Sequence, residues 1–182
     1  MFSDVLKAKT TLQYKNKVFF SENFLVINVG RKLEAGLPRH WSYLMPYAEI
    51  TGWGKCVPPA VLNNEDLATF IETSDEWITT RTGIKERRVL HCNLSDMARV
   101  ASLHALAAAD LDPMEIDLIL LGSLTSDSQC PNTASIIADQ LGARNAAAID
   151  INSACTGFLY GLHLGTNLIK TGAHKKILVI GG

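Results

Sequence analysis

Ala146-Ala-Ala-Ile-Asp-Ile-Asn-Ser-Ala-Cys-Thr-Gly-Phe-Leu-Tyr-Gly-Leu162 decides the fold. Ala146 to Asn152 is a short apolar run and reads as a buried strand. From Ser153 to Lys170 there is no proline, and apolar residues fall on nearly every face (Phe158, Leu159, Tyr160, Leu162, Leu164, Leu168, Ile169), which predicts a helix enclosed by protein. A strand that runs straight into an enclosed helix is the unit of a layered α/β domain. Cys155 falls at the first turn of this helix, where unpaired N–H groups and the positive end of the helix dipole favour thiolate over thiol. Gly157 leaves room for a ligand to approach. Position alone leaves a second reading open, that Cys155 is a small buried hydrophobe.

Outward from this stretch, β-rich runs alternate with helical patterns from Tyr47 onward. Tyr47 to Trp53 reads as a strand, and a helix starts near Asn63 or Asn64. Thr73 and Glu76 have capping-box spacing for a short helix over Ser74 to Arg81, and Gly83 ends it. Ile84 to Leu90 is strand-like. Ser95 is placed to cap an Ala-rich helix that runs to about Asp110, before Asp112-Pro113. Asp117 to Ser123 is a buried strand, Pro131 suits the first turn of a helix ending at Gly142, and Lys176 to Ile180 starts another strand after Gly172.

The 182 residues are 47% hydrophobic and 19% charged, with a formal net charge of -1. That composition supports one globular core, or one half of a two-lobed one, and excludes a disordered tail. It supplies no global field for a polyanion, so nucleic-acid binding by bulk charge is not expected. No apolar run approaches the roughly 20 residues of a membrane span, and the first residues lack a secretory signal. Cys56, Cys92, Cys130 and Cys155 form no CxxC pair, which points to separate thiols in a reducing cytoplasm and to no metal site. Residues 1 to 46 carry a local charge of +4 against -5 for the rest. With Pro38 and Pro46 and irregular periodicity they read as an N-terminal extension, upstream of a natural start near Met45, to an ordered part over 47 to 182, although Phe24 to Val29 could form a strand.

Trp77 and Arg81 lie four apart and share one helix face, where a ring and a guanidinium could bracket a base and a phosphate. The competing reading packs Trp77 in the core with Arg81 along the surface. Arg81, Lys85, Arg87 and Arg88 form a basic cluster suited to an acidic carrier or to phosphates, or simply a solvated edge. Among the histidines, His163 and His104 read as packed helix residues, while His40, His91 and His174 fall in the extension or in loops.

Thr73-Ser-Asp-Glu-Trp-Ile-Thr-Thr-Arg-Thr-Gly-Ile84 with Glu86-Arg87, the Gly52, Gly54, Pro58 opening, Cys130-Pro131 and Asp150-Ile-Asn-Ser-Ala-Cys-Thr-Gly157 together resemble β-ketoacyl-acyl carrier protein synthase III, a thiolase-fold condensing enzyme. The resemblance covers about residues 47 to 182. It implies a thiolase-like layered α/β fold, of which this chain would hold one βαβαβ-type half with the buried central helix carrying the cysteine. It also implies that Cys155 attacks an acyl-CoA thioester and that the acyl-enzyme then accepts the carbanion from decarboxylation of malonyl-acyl carrier protein. Trp77 and Arg81, with Thr73 nearby, would contact the adenine and phosphate end of CoA, and the Cys155 N–H would contribute to an oxyanion hole. Arg87 and Arg88 would face the carrier protein. No cofactor beyond the CoA and carrier thioesters is implied, and the complete enzyme would be a cytoplasmic homodimer.

Two departures shape the expectation. The family's catalytic His and Asn lie in the other half, so the chain, which stops after an apolar strand at Gly181-Gly182, looks cut and is not expected to condense alone. Family members often carry a bulky aromatic before the proline matching Pro131. In the family that residue is contributed across the dimer to the far end of the acyl pocket; here it is Cys130, and the resemblance implies tolerance of primers longer or bulkier than acetyl. The reading from another class is a non-catalytic fragment or interaction half of a split condensing enzyme.

Overall fold

The computed structural model describes residues 24–30, 47–89 and 92–182. They form two compact units, a larger one of 24–30, 47–58 and 92–182 and a smaller one of 59–89. His40 and His91, Leu90, Pro38, Met45 and Pro46 lie outside the described residues.

The larger unit is built on a five-stranded sheet. Its strands are β1 (Phe24–Gly30), β2 (Tyr47–Gly54), β5 (Leu118–Gly122), β6 (Ala147–Ile151) and β7 (Lys176–Gly181), in the spatial order β2-β1-β7-β5-β6. β5 pairs in parallel with β6 and β7, whereas β1 is antiparallel to both β2 and β7. The Phe24 to Val29 run is thus a full member of the sheet, between two strands that sequence separates by more than a hundred residues.

Every residue of β5 is buried, as expected for a parallel strand covered on both faces. Its side chains and those of β7 alternate. Ile119, Leu121, Leu178 and Ile180 pack with α3 (Leu94–Ala109) and α4 (Thr133–Leu141). Leu118, Leu120, Ile177 and Val179 pack with Ile169 of α5 (Gly157–Lys170). Each such fully buried side chain contributes about 1.5–3 kcal/mol. At β2 the pairing register slips between Val26 and Ile27 opposite Thr51, and Gly52 and Gly54 lie directly under α3. A Cβ on Gly54 would stand 2.7 Å from the Ala105 nitrogen and closer still to the Ala101 carbonyl.

Several expected boundaries shift for identifiable reasons. Ser95 lies inside the first turn of α3 rather than capping it: the N-cap is Asn93, whose N–H donates to Asp96 at 3.3 Å, and Asp127 further accepts from the Leu94 and Ser95 N–H groups, both at 2.8 Å. Pro131 precedes α4, whose N-cap is Asn132; there the Thr133 and Ala134 N–H groups donate to Asp150 at 3.0 and 2.8 Å. In both helices the first N–H groups are met by carboxylates distant in sequence. The enclosure expected of α5 holds for one face only. Gly157, Gly161, Gly165 and Ile169 are buried, whereas Leu159 is 63% and Tyr160 56% exposed.

Asp127 yields a prediction. Partial burial opposes its charge, but the hydrogen bonds from Ser95 and Leu94 outweigh it and hold the carboxyl below its ordinary 3.8. A depressed carboxylate stabilises the fold above 3.8 and loses that contribution as pH falls through its lower folded value. Asp127→Asn is therefore expected to cost about 1 kcal/mol near neutral pH, the usual worth of a helix cap, and much less in strong acid. Urea melts of both proteins across that range would show it, and an equal gap at every pH would contradict it.

The smaller unit pairs β3 (Val61–Asn63) with β4 (Glu86–Arg88) as an antiparallel ribbon around α1 (Asn64–Ala68) and α2 (Asp75–Thr82). The strand expected over Ile84 to Leu90 is shorter than its apolar ends suggested. Ser74, not Thr73, caps α2, accepting from the Trp77 N–H at 3.1 Å. Both residues are good caps, and adjacency hid the choice. Gly83 closes α2 at φ 71°, as expected.

Candidate active site

In the larger unit β6 ends at Ile151 and the chain turns before entering α5. Ala154 to Thr156 form a single 3-10 turn, so Cys155 sits just ahead of α5 rather than within its first turn. Ala154 has φ 45°, a left-handed conformation unusual for a side-chain-bearing residue. The Thr156 hydroxyl donates to the Ser153 carbonyl at 2.7 Å, the Thr156 N–H reaches the same oxygen at 3.1 Å, and the Ser153 hydroxyl meets Thr156 Oγ1 at 3.0 Å. These bonds close the turn at its base and leave Cys155 exposed at its tip.

The turn is seated by two glycines back to back. A Cβ on Gly122, at the end of β5, would lie 2.6 Å from the Phe158 nitrogen and 2.7 Å from the Gly157 carbonyl oxygen. Gly157 in turn is buried, and its own Cβ would lie 3.0 Å from the Gly122 Cα. The room expected at Gly157 for a ligand is therefore taken by β5. The Ser123 N–H donates to the Ile151 carbonyl at 3.2 Å, tying the ends of β5 and β6 together beside the turn.

Asp150, on the strand that leads to Cys155, also accepts from the Ser126 hydroxyl at 3.3 Å besides capping α4. It thus fixes the segment that carries the exposed Cys130. No histidine reaches Cys155 among the described residues. His163 bonds Asn167 on α5, His104 meets the Lys55 carbonyl at 3.3 Å, and His174 faces Asp117 at 3.4 Å. Among the described residues no three His, Cys, Asp or Glu side chains group to hold a metal, and no helix is long and apolar enough to cross a membrane.

In the smaller unit Trp77 is 53% exposed, not packed in the core, and the Arg81 guanidinium carbon lies 4.5 Å from its ring centroid. This is a closed cation–π stack. The two groups are in contact, so the gap expected between them for a base is closed. Thr73 is half-buried just before α2. Arg87 is turned inward. Its guanidinium donates to the Leu62 and Asn63 carbonyls, both at 3.3 Å, and to Asn64 Oδ1 at 2.8 Å. Arg88 donates to the Pro59 carbonyl at 3.4 Å and lies 3.9 Å from Glu86. Asp75, in the first turn of α2, is held below the ordinary carboxylate value by hydrogen bonds from Asn64 and then Thr79. Gly122, Asp150 and Asn64 were missed by sequence reading. Only Gly122, a glycine ending an apolar strand, carried a local signal.

A parallel-cored sheet whose strand-to-helix turn raises a lone cysteine over a glycine contact defines a thiolase-like fold with a candidate thiol nucleophile. The comparisons agree. The family description 3-oxoacyl-[acyl-carrier-protein] synthase III matches residues 149–182. A β-ketoacyl-[acyl-carrier-protein] synthase III 2 of Vibrio vulnificus is 57% identical over 135 residues, 74% of this chain and 37% of the relative. A β-ketoacyl-[acyl-carrier-protein] synthase III of Clostridium acetobutylicum is 45% identical over 75% of this chain and 42% of its own length. The crystal structure of a 3-oxoacyl-[acyl-carrier-protein] synthase III from Aquifex aeolicus superposes with a TM-score of 0.70 at 47% identity, covering 72% of this chain and 43% of that one. The matched part of the chain belongs to the β-ketoacyl-acyl carrier protein synthase III family, and it spans about two fifths of the length of these relatives.

Proposed function

We propose that this chain is the cysteine-bearing part of an acyltransferase that condenses an acyl-CoA primer with malonyl-acyl carrier protein in fatty-acid or polyketide synthesis. The observation that carries the reading is the exposed Cys155 turn seated on the Gly122–Gly157 contact. Cys155 Sγ attacks the thioester carbonyl, the bond from acyl carbon to CoA sulfur breaks, and the CoA thiol leaves with the proton given up by Cys155. Positive charge at the start of α5 and the Cys155 N–H stabilise the oxyanion between these two events. The carbanion released by loss of carbon dioxide from malonyl-acyl carrier protein then attacks the acyl-cysteine. The Cys155 thiolate departs, takes up a proton, and leaves a 3-oxoacyl-carrier protein.

Trp77 takes the adenine on its open face, Arg81 the phosphates, and Thr73 supports them. Arg88 supplies positive charge toward the acidic carrier, whereas Arg87, turned inward, holds β3 and Asn64. Cys130, smaller than an aromatic, leaves the acyl pocket long. The complete enzyme works as a cytoplasmic homodimer without a metal. In support of the CoA assignment, Trp77→Ala and Arg81→Ala are each expected to weaken CoA binding about tenfold or more by calorimetry. Wild-type affinity in both variants would contradict it.

One observation favours a second reading. The open face of α5, with Leu159 and Tyr160, and Trp53 on β2 at 61% exposure, present apolar surface suited to association. On this reading the chain is a non-catalytic interaction part, and Cys155 reacts no faster than Cys92.

A further inference from the structure

Asn64 is polar, yet only 1% exposed. Its carboxamide is fully engaged: Nδ2 donates to Asp75 Oδ1 at 2.7 Å and to the Ile84 carbonyl at 2.8 Å, and Oδ1 accepts from Arg87 at 2.8 Å. Nδ2 also lies 3.4 Å from Thr79 Oγ1, and the Asn64 N–H reaches the Lys85 carbonyl at 3.2 Å.

These partners grip α2 at both ends. Asp75 opens the helix, and Ile84 follows the Gly83 that closes it. Eight residues are too few to hold a helix in place by themselves, and Ile78 is the buried residue of α2. Asp75 and Thr79 share one helix face, and Trp77 and Arg81, offset from them by two positions or about 200°, share the opposite one. A buried amide thus fastens the inner face of the helix whose outer face presents the stacked pair.

We propose that Asn64 is a positioning residue, which orients the Trp77–Arg81 pair for the nucleotide end of acyl-CoA by holding both ends of α2. The inference rests on the CoA assignment above. Without the carboxamide, the Ile84 carbonyl and the Arg87 guanidinium lose a partner inside the unit, and α2 is left to its capping residues and Ile78.

The test is a double-mutant cycle on the full chain, with CoA as the titrant. Wild type, Asn64→Ala, Trp77→Ala and the double variant are compared by calorimetry, with iodoacetamide alkylation of Cys155 followed in each. Asn64→Ala is expected to weaken CoA about tenfold, to leave the alkylation rate unchanged, and to add little to the loss in Trp77→Ala, since the pair it orients is already broken. Additive losses, or wild-type affinity in Asn64→Ala, overturn the proposal while leaving the CoA assignment standing. Wild-type affinity in both Trp77→Ala and Arg81→Ala removes that assignment and the proposal with it. If circular dichroism shows Asn64→Ala unfolded, Asp75→Ala, at the exposed end of the same bond, takes its place in the cycle with the same expected non-additivity.

Discussion

Gly122→Ala is expected to lower acyl transfer to Cys155 at least a hundredfold although position 122 touches no substrate. The new methyl would meet backbone alone, with the Phe158 nitrogen at 2.6 Å, the Gly157 oxygen at 2.7 Å and the Gly157 carbonyl carbon nearer still. No rotamer change can relieve contacts made by main-chain atoms. Either β5 or the start of α5 must retreat by about 1 Å, and a displacement of that size at a reacting group is enough for a hundredfold loss. Overpacking should also cost about 1–3 kcal/mol of stability. Gly157→Ala is a graded control, because its Cβ would lie no nearer than 3.0 Å to the Gly122 Cα. It should lose less on both measures. Thermal melts and single-turnover transfer from acetyl-CoA would check the pair, and the reverse order would show that the glycine contact does not seat the turn.

The second large effect concerns the thiols themselves. Cys92, Cys130 and Cys155 are all exposed and Cys56 is partly buried, so access alone predicts that the first three react alike. Only Cys155 stands at the tip of a strained turn immediately before a fourteen-residue helix, presented by the Ser153–Thr156 bonds that close the base of the turn. Alkylation of Cys155 is expected to be at least about tenfold faster than that of Cys92 near neutral pH. Cys155→Ser should remove acyl transfer altogether, since the hydroxyl has no base among the described residues to activate it. Quantitative mass spectrometry of a brief iodoacetamide pulse would give the order. Equal rates at Cys92 and Cys155 would favour the interaction reading.

What the sequence made legible was local. The apolar run from Leu118 to Leu121, the strand into Ile151, the helix after it and the glycines at 83 and 142 each announce themselves within a few residues. That Trp77 and Arg81 share one helix face was visible in their spacing, but not that the two side chains stack on each other and close the gap between them. What escaped depends on partners far along the chain. Asp127 accepts from the first N–H groups of α3 from 32 residues away and Asp150 from those of α4 from 16 or 17, and neither reach shows in a local window around Ser95 or Pro131. Gly157 reads as space for a ligand until Gly122 is placed against it. A helix apolar on nearly every side reads as enclosed, yet burial depends on what covers each face, and among the described residues Leu159 and Tyr160 are left open. Arg87 shows the same limit. Charge and spacing suggested an outward-facing residue, but carbonyls 24 and 25 positions earlier turn it inward.

Peptide mapping of the chain after incubation with acetyl-CoA tests the assignment of Cys155 most directly. The expected result is one acetyl group on the peptide carrying Cys155, released by hydroxylamine as a thioester should be, with Cys56, Cys92 and Cys130 unmodified. No adduct, or acetylation spread evenly over the exposed thiols, would contradict an acyl-accepting role for Cys155.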